Sequence, residues 1–389
     1  MISMRPLAAV LASIALALGA QAAGFVPTGS MSTPRRVHTA TLLNDGTVLM
    51  AGGSINLTTS ARAVTAETYD SASGTFTPAG NMVTPRDSHA AVLLQNGKVL
   101  LAGGAGPGYL KAAELYDPAT RSFTATGSMS DARYLPRAAL LPSGKVLVTG
   151  GVGGSGEIDW DTAEVYDPAA GVWTRTGNMK VGRYGHTATR LPNGKVLIVG
   201  GFKAAAREAE LYDETTGIFT PAGSMVSTRY IHTATLLPDG TVLIAGGFGP
   251  GNELLNTAEI YNPSTATFTP VAGVMSTTRN FHTATLLPDG NVLLAGGTLT
   301  FPQALNTADL YLSASGTFIP AGTMTTARTF HSATLLPSGA VLIAGGDDYT
   351  TVHASAELYA PAADVPMTGA AALLVLAALL ALAGMMALR

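Results

Sequence analysis

Charged side chains occupy repeated positions in this 389-residue sequence, of which only 12% is Asp, Glu, Lys or Arg. One arginine and one acid recur in each of seven similar segments. A catalytic group is needed once, so seven copies predict architectural Arg–carboxylate pairs that tie strands or blades together, as between Arg229 and Glu259. The arginines are Arg35, Arg86, Arg133, Arg183, Arg229, Arg279 and Arg328, and the acids are Glu67, Glu114, Glu164, Glu210, Glu259, Asp309 and Glu357.

Histidine follows the repeated arginine by three residues in six of the seven segments, and the third segment has Pro136 instead. These residues are His38, His89, His186, His232, His282 and His331. A ring of imidazoles around a channel could bind metal, but it is too wide for one ion whose His ligands lie at about 2.0–2.1 Å. We therefore expect structural histidines, no metal and no cofactor. The sequence has no cysteine, which excludes disulfides, thiolate nucleophiles and iron–sulfur clusters.

Two variable loops carry polar and aromatic residues that the other segments lack. The third segment contains Asp159, Trp160 and Asp161, a combination that suits a carbohydrate or a cationic ligand. Alternatively, Trp160 caps the face of the fold. The seventh contains Asp348, Tyr349 and His353, which could bind a metal or form a solvated polar loop. The six residues are the candidate binding residues, and no catalytic residue is predicted.

Short apolar strands position these residues. In each segment two runs rich in Leu, Val, Ile and Thr flank a tight turn, such as Pro238-Asp239-Gly240, and so predict a hairpin. Two further strands follow. A Gly-Gly doublet closes the second strand every 46 to 51 residues. The doublets are Gly52-Gly53, Gly103-Gly104, Gly150-Gly151, Gly200-Gly201, Gly246-Gly247, Gly296-Gly297 and Gly345-Gly346.

Four strands per repeat of this length predict one propeller blade, hence an all-β, seven-bladed β-propeller of four antiparallel strands per blade. The last segment lacks its fourth strand, while residues 24–28 match the fourth strand of the other segments. We therefore expect the N-terminal strand to complete the seventh blade, in a propeller that is monomeric.

The doublet, the Glu-x-Tyr-Asp segment and the aromatic residue before the next unit resemble kelch repeats over residues 24 to 361. The resemblance implies a propeller of the galactose-oxidase-like superfamily and a non-enzymatic module that binds a protein or a glycan. The alternative is a carbohydrate-active enzyme resembling sialic-acid mutarotases. A copper radical oxidase is disfavoured because its cofactor needs a Cys–Tyr cross-link. The net charge of −3 gives no basic footprint for nucleic acid.

Both ends of the chain predict export. Residues 1–22 have the pattern of a signal peptide, which would leave the propeller at 23–361. Residues 362–368 read as a linker and sorting motif, and the uncharged stretch 369–388 before Arg389 is long enough for a membrane helix. Val365, Pro366, Thr368 and Gly369 resemble a bacterial C-terminal sorting signal, either LPxTG-like or exosortase-type. A plain transmembrane anchor is the alternative, and each reading places the protein at the cell envelope.

Overall fold

The computed structural model describes residues 24–361 except 60, 155–157 and 203–206. Its compact unit, residues 25–360, is all-β. Within these ranges no helix has the length and apolarity needed to cross a membrane. The predicted signal peptide, sorting motif and C-terminal helix lie outside the described residues.

Seven four-stranded antiparallel sheets are formed by the described part of the chain, which confirms the seven-bladed propeller. The first strand is β1 (Gly24–Pro27). Blade 1 contains β2 (Thr39–Leu42), β3 (Val48–Ala51), β4 (Thr65–Asp70) and β5 (Thr75–Asn81). Blade 2 contains β6 (Ala90–Leu93), β7 (Val99–Ala102), β8 (Ala113–Asp117) and β9 (Ser122–Ala125). Blade 3 contains β10 (Arg137–Leu140), β11 (Val146–Thr149), the short hairpin β12 (Val152–Gly153) and β13 (Ile158–Asp159), then β14 (Ala163–Asp167) and β15 (Val172–Arg175).

The remaining blades repeat this order, and the sheet of blade 7 includes β1. Blade 4 contains β16 (Thr187–Arg190), β17 (Val196–Val199), β18 (Glu208–Asp213) and β19 (Ile218–Ser224). Blade 5 contains β20 (Thr233–Leu236), β21 (Val242–Ala245), β22 (Ala258–Asn262) and β23 (Thr267–Pro270). Blade 6 contains β24 (Thr283–Leu286), β25 (Val292–Ala295), the short hairpin β26 (Thr298–Thr300) and β27 (Gln303–Ala304), then β28 (Thr307–Leu312) and β29 (Thr317–Thr323). Blade 7 contains β30 (Ser332–Leu335), β31 (Val341–Ala344) and β32 (Ala356–Ala360).

The N-terminal strand closes the ring, because β1 lies beside β32 in the sheet order β1-β32-β31-β30. The ring of Phe25 packs against Tyr359 with centroids 5.1 Å apart. This pair repeats the contact between the third and fourth strands of the other blades, such as Tyr261 with Phe268 at 4.8 Å. By pairing with β32, β1 gives blade 7 the same four strands as the other blades and covers an edge that could otherwise pair with another chain.

The core lies between neighbouring blades rather than inside one sheet. In every blade the second strand is fully buried, and the innermost strands of successive blades contact one another around the axis. One core cluster, for example, joins Leu49 and Met82 of blade 1 to Leu101, Tyr116 and Phe123 of blade 2. Each blade therefore needs both neighbours to bury its apolar faces.

The Gly-Gly doublets form the joints between blades. Both glycines of every doublet have positive φ. The amide of the second glycine donates to the carbonyl of the repeated arginine in the next blade, from Gly53 to Arg86 at 2.9 Å and, across the closure, from Gly346 to Arg35 at 2.9 Å. A Cβ on the first glycine, Gly52, would lie 2.3 Å from the Arg86 carbonyl oxygen. Only glycine fits at this close approach.

Candidate functional site

The repeated arginines are buried and paired with the repeated acids. Arg229 donates from Nη1 to the carbonyls of Gly246 and Thr257, both at 3.0 Å, and from Nη2 to Glu259 Oε1 at 3.1 Å. The same carboxylate accepts the amides of Val226 and Ser227. All seven Arg–acid pairs are present, with N–O distances of 2.6 to 3.2 Å. Each pair joins the segment before the first strand of a blade to the third strand of the same blade, as expected for an architectural role.

The six histidines form a second repeated network between blades. Each Nε2 shares a hydrogen bond with a hydroxyl, at 2.9 to 3.2 Å. In five pairs the hydroxyl belongs to the first residue of the preceding blade's inner strand, as between Thr233 and His282 at 3.0 Å. Burial, reinforced by the nearby arginine charge, lowers the pKa of His38 and of His331 to about 3. The imidazoles are therefore neutral at physiological pH.

A ring of left-handed residues narrows the channel above this network. The second residue after each repeated arginine has a φ between 47° and 65°, which is costly for a β-branched residue such as Val37 or Ile231. Backbone hydrogen bonds between blades hold it, from Ser88 N to Val37 O at 3.0 Å and, across the closure, from Val37 N to Phe330 O at 3.0 Å. The ring residues are Val37, Ser88, Leu135, Gly185, Ile231, Phe281 and Phe330.

A cavity of about 610 Å³ opens on the axis at this end of the channel. Its wall is formed by the left-handed ring except Gly185, five of the six buried histidines and the aromatic side chains Tyr134, Tyr184 and Tyr230, together with Arg36 and Arg137. Among the described residues no Asp or Glu lines it. We call this space the axial cavity.

Aromatic rings follow the rim of the axial cavity from blade 4 to blade 7. Successive ring centroids lie 4.0 to 6.3 Å apart, and the guanidinium of Arg36 lies 4.2 Å above the last ring. In order, the rings belong to Tyr184, Phe202, Tyr230, Phe248, Phe281 and Phe330. We call them the aromatic arc. Arg36 itself is paired with Asp347, 3.1 Å from Nε to Oδ2.

The loops after the doublets lie on the same face as the axial cavity. In six of the seven segments the residue after the repeated arginine forms a backbone bridge with the residue after a doublet, as Arg36 does with Ser54 and Tyr230 with Phe248. This is the face on which the sequence places ligand binding. None of the candidate residues with a described side chain lines the axial cavity.

In the blade 3 loop, Trp160 is half-buried and tethered. Its Nε1 donates to the carbonyl of Ala132 at 3.0 Å, and its backbone amide donates to Gly151 O at 3.0 Å. Asp159 pairs with Val152 in the short hairpin. Asp161 is half-buried, and its Oδ2 accepts Asn178 Nδ2 at 3.5 Å. These contacts favour the interpretation of Trp160 as a cap on the face of the propeller.

The blade 7 loop is also internally bonded. Asp348 Oδ1 accepts the amides of Thr350 and Thr351 at 2.8 and 2.7 Å. His353 Nε2 lies 3.6 Å from Asp348 Oδ2, and burial lowers the pKa of His353. Tyr349 reaches blade 6, where its hydroxyl and that of Thr298 lie 2.7 Å apart. The three residues thus form a local polar cluster rather than a shared site with Trp160.

Reasoning from the sequence placed the repeated histidines around a channel but did not identify the other residues of the axial cavity. The signal was present in the Arg-x-x-His segments, whose outer positions repeat while the two inner positions change from blade to blade. Those inner positions supply Tyr134, Tyr230, Phe281 and Phe330. A second signal is the third segment, in which Pro136 is followed by an arginine where most segments have Thr or Ser.

In the part of the chain that the structure describes, no three His, Asp or Glu side chains are grouped to hold a metal ion. The repeated histidines instead turn Nε2 toward hydroxyl partners, as Thr283 and His331 show at 3.0 Å.

Comparisons with known proteins agree with the fold. A model described as "Kelch motif" matches residues 232–275, about one blade. None of the curated proteins matches the chain. A solved structure of a fungal alcohol oxidase of the AA5 family, in complex with copper, is 20% identical, with a TM-score of 0.72, and the match covers 88% of this chain and 77% of that one. The chain therefore contains a kelch motif and has a seven-bladed propeller fold, and that fold is similar to the structure of this alcohol oxidase.

Proposed function

We propose that this protein is a non-enzymatic glycan-binding propeller, exported and attached to the cell envelope, with its binding site in the axial cavity. The observation that carries the proposal is the aromatic arc along the rim of a concave space. About 610 Å³ falls within the range of roughly 300–1,000 Å³ typical of small-molecule sites. A concave site of this size suits the end of an oligosaccharide better than the flat surface of a folded protein.

The chemistry of the wall supports binding. The faces of aromatic side chains offer large, rigid contact areas to the C–H faces of sugar rings. The tyrosine hydroxyl groups in the wall can form hydrogen bonds that orient a ligand. The carbonyl of Phe330 accepts the Val37 amide of the next blade, and the ring of Phe281 packs against that of Phe330 with centroids 4.0 Å apart, so this part of the wall is preorganised. The described wall offers no carboxylate, which supports binding rather than acid–base catalysis as the proposal.

Screening immobilised oligosaccharides with the full chain in mild detergent tests this function. Phe281→Asn removes one ring of the aromatic arc while keeping a residue that tolerates positive φ. We expect it to weaken glycan binding with an unchanged melting temperature. The matched control is Phe301→Ser, since Phe301 is 81% exposed and does not line the cavity. Equal binding by Phe281→Asn and wild type, or no glycan bound by any form, would contradict the proposal.

Envelope attachment is a separate part of the proposal and rests on the two terminal segments. Removal of residues 369–389 is expected to move the protein from the membrane fraction to the soluble or extracellular fraction. Unchanged fractionation after that truncation would contradict attachment through the C-terminal segment.

A further inference from the structure

Arg137 departs from the repeat at the first residue of an inner strand. The equivalent residues of the other blades are small, and four of them share a hydrogen bond with the histidine of the next blade. A fifth, Ser332, does the same across the closure. These residues are Thr39, Ala90, Thr187, Thr233, Thr283 and Ser332. Arg137 instead places a cation in the wall of the axial cavity.

Residues near Arg137 also differ from the repeat, in ways that compensate for the missing hydroxyl at this position. His186, which follows Arg137 around the ring, takes its hydroxyl partner from Thr149 at 2.9 Å, a position that is Ala or Val in the other blades. Blade 3 has Pro136 in place of histidine, and Ala90 of blade 2 correspondingly lacks a hydroxyl. Each of the six repeated histidines thus keeps a hydroxyl partner while Arg137 is accommodated.

Arg137 has no ionic partner within the described ranges. Its Nε donates to the carbonyl of His186 at 2.8 Å, and no carboxylate lies within ion-pair distance. The seven repeated arginines each have an acid, and Arg36, the other cation of the wall, has Asp347. Burial lowers the pKa of Arg137. The nearby imidazoles add no charge, because burial holds the pKa of His186 and of His232 well below the usual value.

From this cavity with an unpaired cation in its wall we infer that the glycan carries an anionic group, a carboxylate or a sulfate, which Arg137 binds. The inference rests on the proposed function. The guanidinium presents several N–H donors in one plane, and Nη1 and Nη2 make no hydrogen bond to any residue that the structure describes. Two parallel N–H···O contacts to one carboxylate or sulfate match that geometry. The aromatic arc would contact the apolar faces of the sugar.

The test compares two substitutions that remove the same charge. Arg137→Thr installs the residue that the repeat has at this position, so the fold should be retained. Arg190→Leu is the control, since Arg190 is exposed at the opposite end of an equivalent inner strand and Leu is the usual residue there. Calorimetry on the full chain would use glucuronate-terminated, sulfated and neutral oligosaccharides of equal length. Melting temperatures verify folding.

We expect Arg137→Thr to lose about 10- to 150-fold in affinity for the anionic oligosaccharides, the range for a hydrogen bond to a charged group. Affinity for neutral oligosaccharides should change less than about twofold, and Arg190→Leu should resemble wild type. Comparing the uronate with the sulfate identifies which anion is preferred.

Failures of the two proposals are distinguishable. If neutral and anionic oligosaccharides bind equally and Arg137→Thr has no effect, the anionic ligand is wrong and glycan binding stands. If only free sulfate or acetate binds, and Arg137→Thr abolishes that binding, the anion site stands and glycan binding is wrong. No binding of any probe overturns both.

Discussion

The buried pair of Arg229 and Glu259 permits a quantitative test of what the repeated ion pairs contribute. Their side chains are 1% and 3% exposed. Arg229→Met leaves the Glu259 carboxylate buried without its guanidinium partner, and removes the Arg229 donor from the Gly246 and Thr257 carbonyls. Removing one partner of a buried pair costs about 3–5 kcal/mol.

The expected loss can be expressed as a melting temperature. With an unfolding entropy of about 2.1 cal/mol/K per residue, the 336 residues of the unit 25–360 give about 0.7 kcal/mol/K, so the loss corresponds to roughly 4–7 °C. Scanning calorimetry and urea titration of Arg229→Met and wild type would measure it. Adding Glu259→Gln should restore part of the stability, since it removes the buried charge and keeps an oxygen that can accept an amide.

The matched control is Lys98→Met, which removes a surface pair with Asp117 at 3.0 Å and 40% exposure of the lysine. An exposed pair contributes about 0–1 kcal/mol, so this variant should melt close to wild type. If Arg229→Met were as mild as Lys98→Met, or if Glu259→Gln lowered stability further in the Arg229→Met background, the architectural role would be refuted.

Three further outcomes are expected. Deletion of residues 24–28 should lower the melting temperature by more than Val26→Ala does, because it removes the Phe25–Tyr359 contact and opens the ring. A melting temperature equal to that of the wild type would contradict closure by the N-terminal strand. Stability should fall below about pH 6.5, because His331 binds a proton there in the unfolded chain but only near its pKa of about 3 in the folded protein. His331→Gln should therefore reduce the slope of unfolding free energy against pH by about 1.4 kcal/mol per pH unit between pH 3 and pH 6.5. An equal slope in the variant and the wild type would contradict this. After incubation with Cu²⁺ and then a chelator, the protein should retain no stoichiometric copper and should not oxidise alcohols. Retained copper or alcohol oxidation would overturn the non-enzymatic proposal.

The fold follows from the sequence because each of its signals is local and repeated. Turn residues such as Gly240, the apolar second strand and the doublet at Gly246 specify one blade, and seven copies specify a ring. Closure of the ring by the N-terminal strand was also predictable from the sequence, because Phe25 lies in the same local pattern as Phe76. The Arg–acid pairing was predictable from charges that recur in step with the strands.

The proposed site depends on contacts between blades, and no local sequence pattern contains information about those contacts. Sequence reasoning favoured Trp160 because it is rare and stands in a variable loop, and its role in binding stays a prediction. Only the structure shows that its Nε1 donates to Ala132 O. Tyr230 and Phe281 come from different blades, about 50 residues apart, and join one aromatic arc only because the ring brings the starts of all inner strands to one end of the axis.

Arg137 also separates what the sequence determines from what only the tertiary structure decides. The sequence by itself determined that the third repeat carries an arginine after a proline, and that an arginine is charged at every physiological pH. It did not determine whether that charge would find an acid, as Arg229 does, or remain unpaired. The tertiary structure decided this, because pairing depends on which side chains of neighbouring blades come within a few ångströms, and the wall around Arg137 offers a carbonyl of His186 and no described carboxylate.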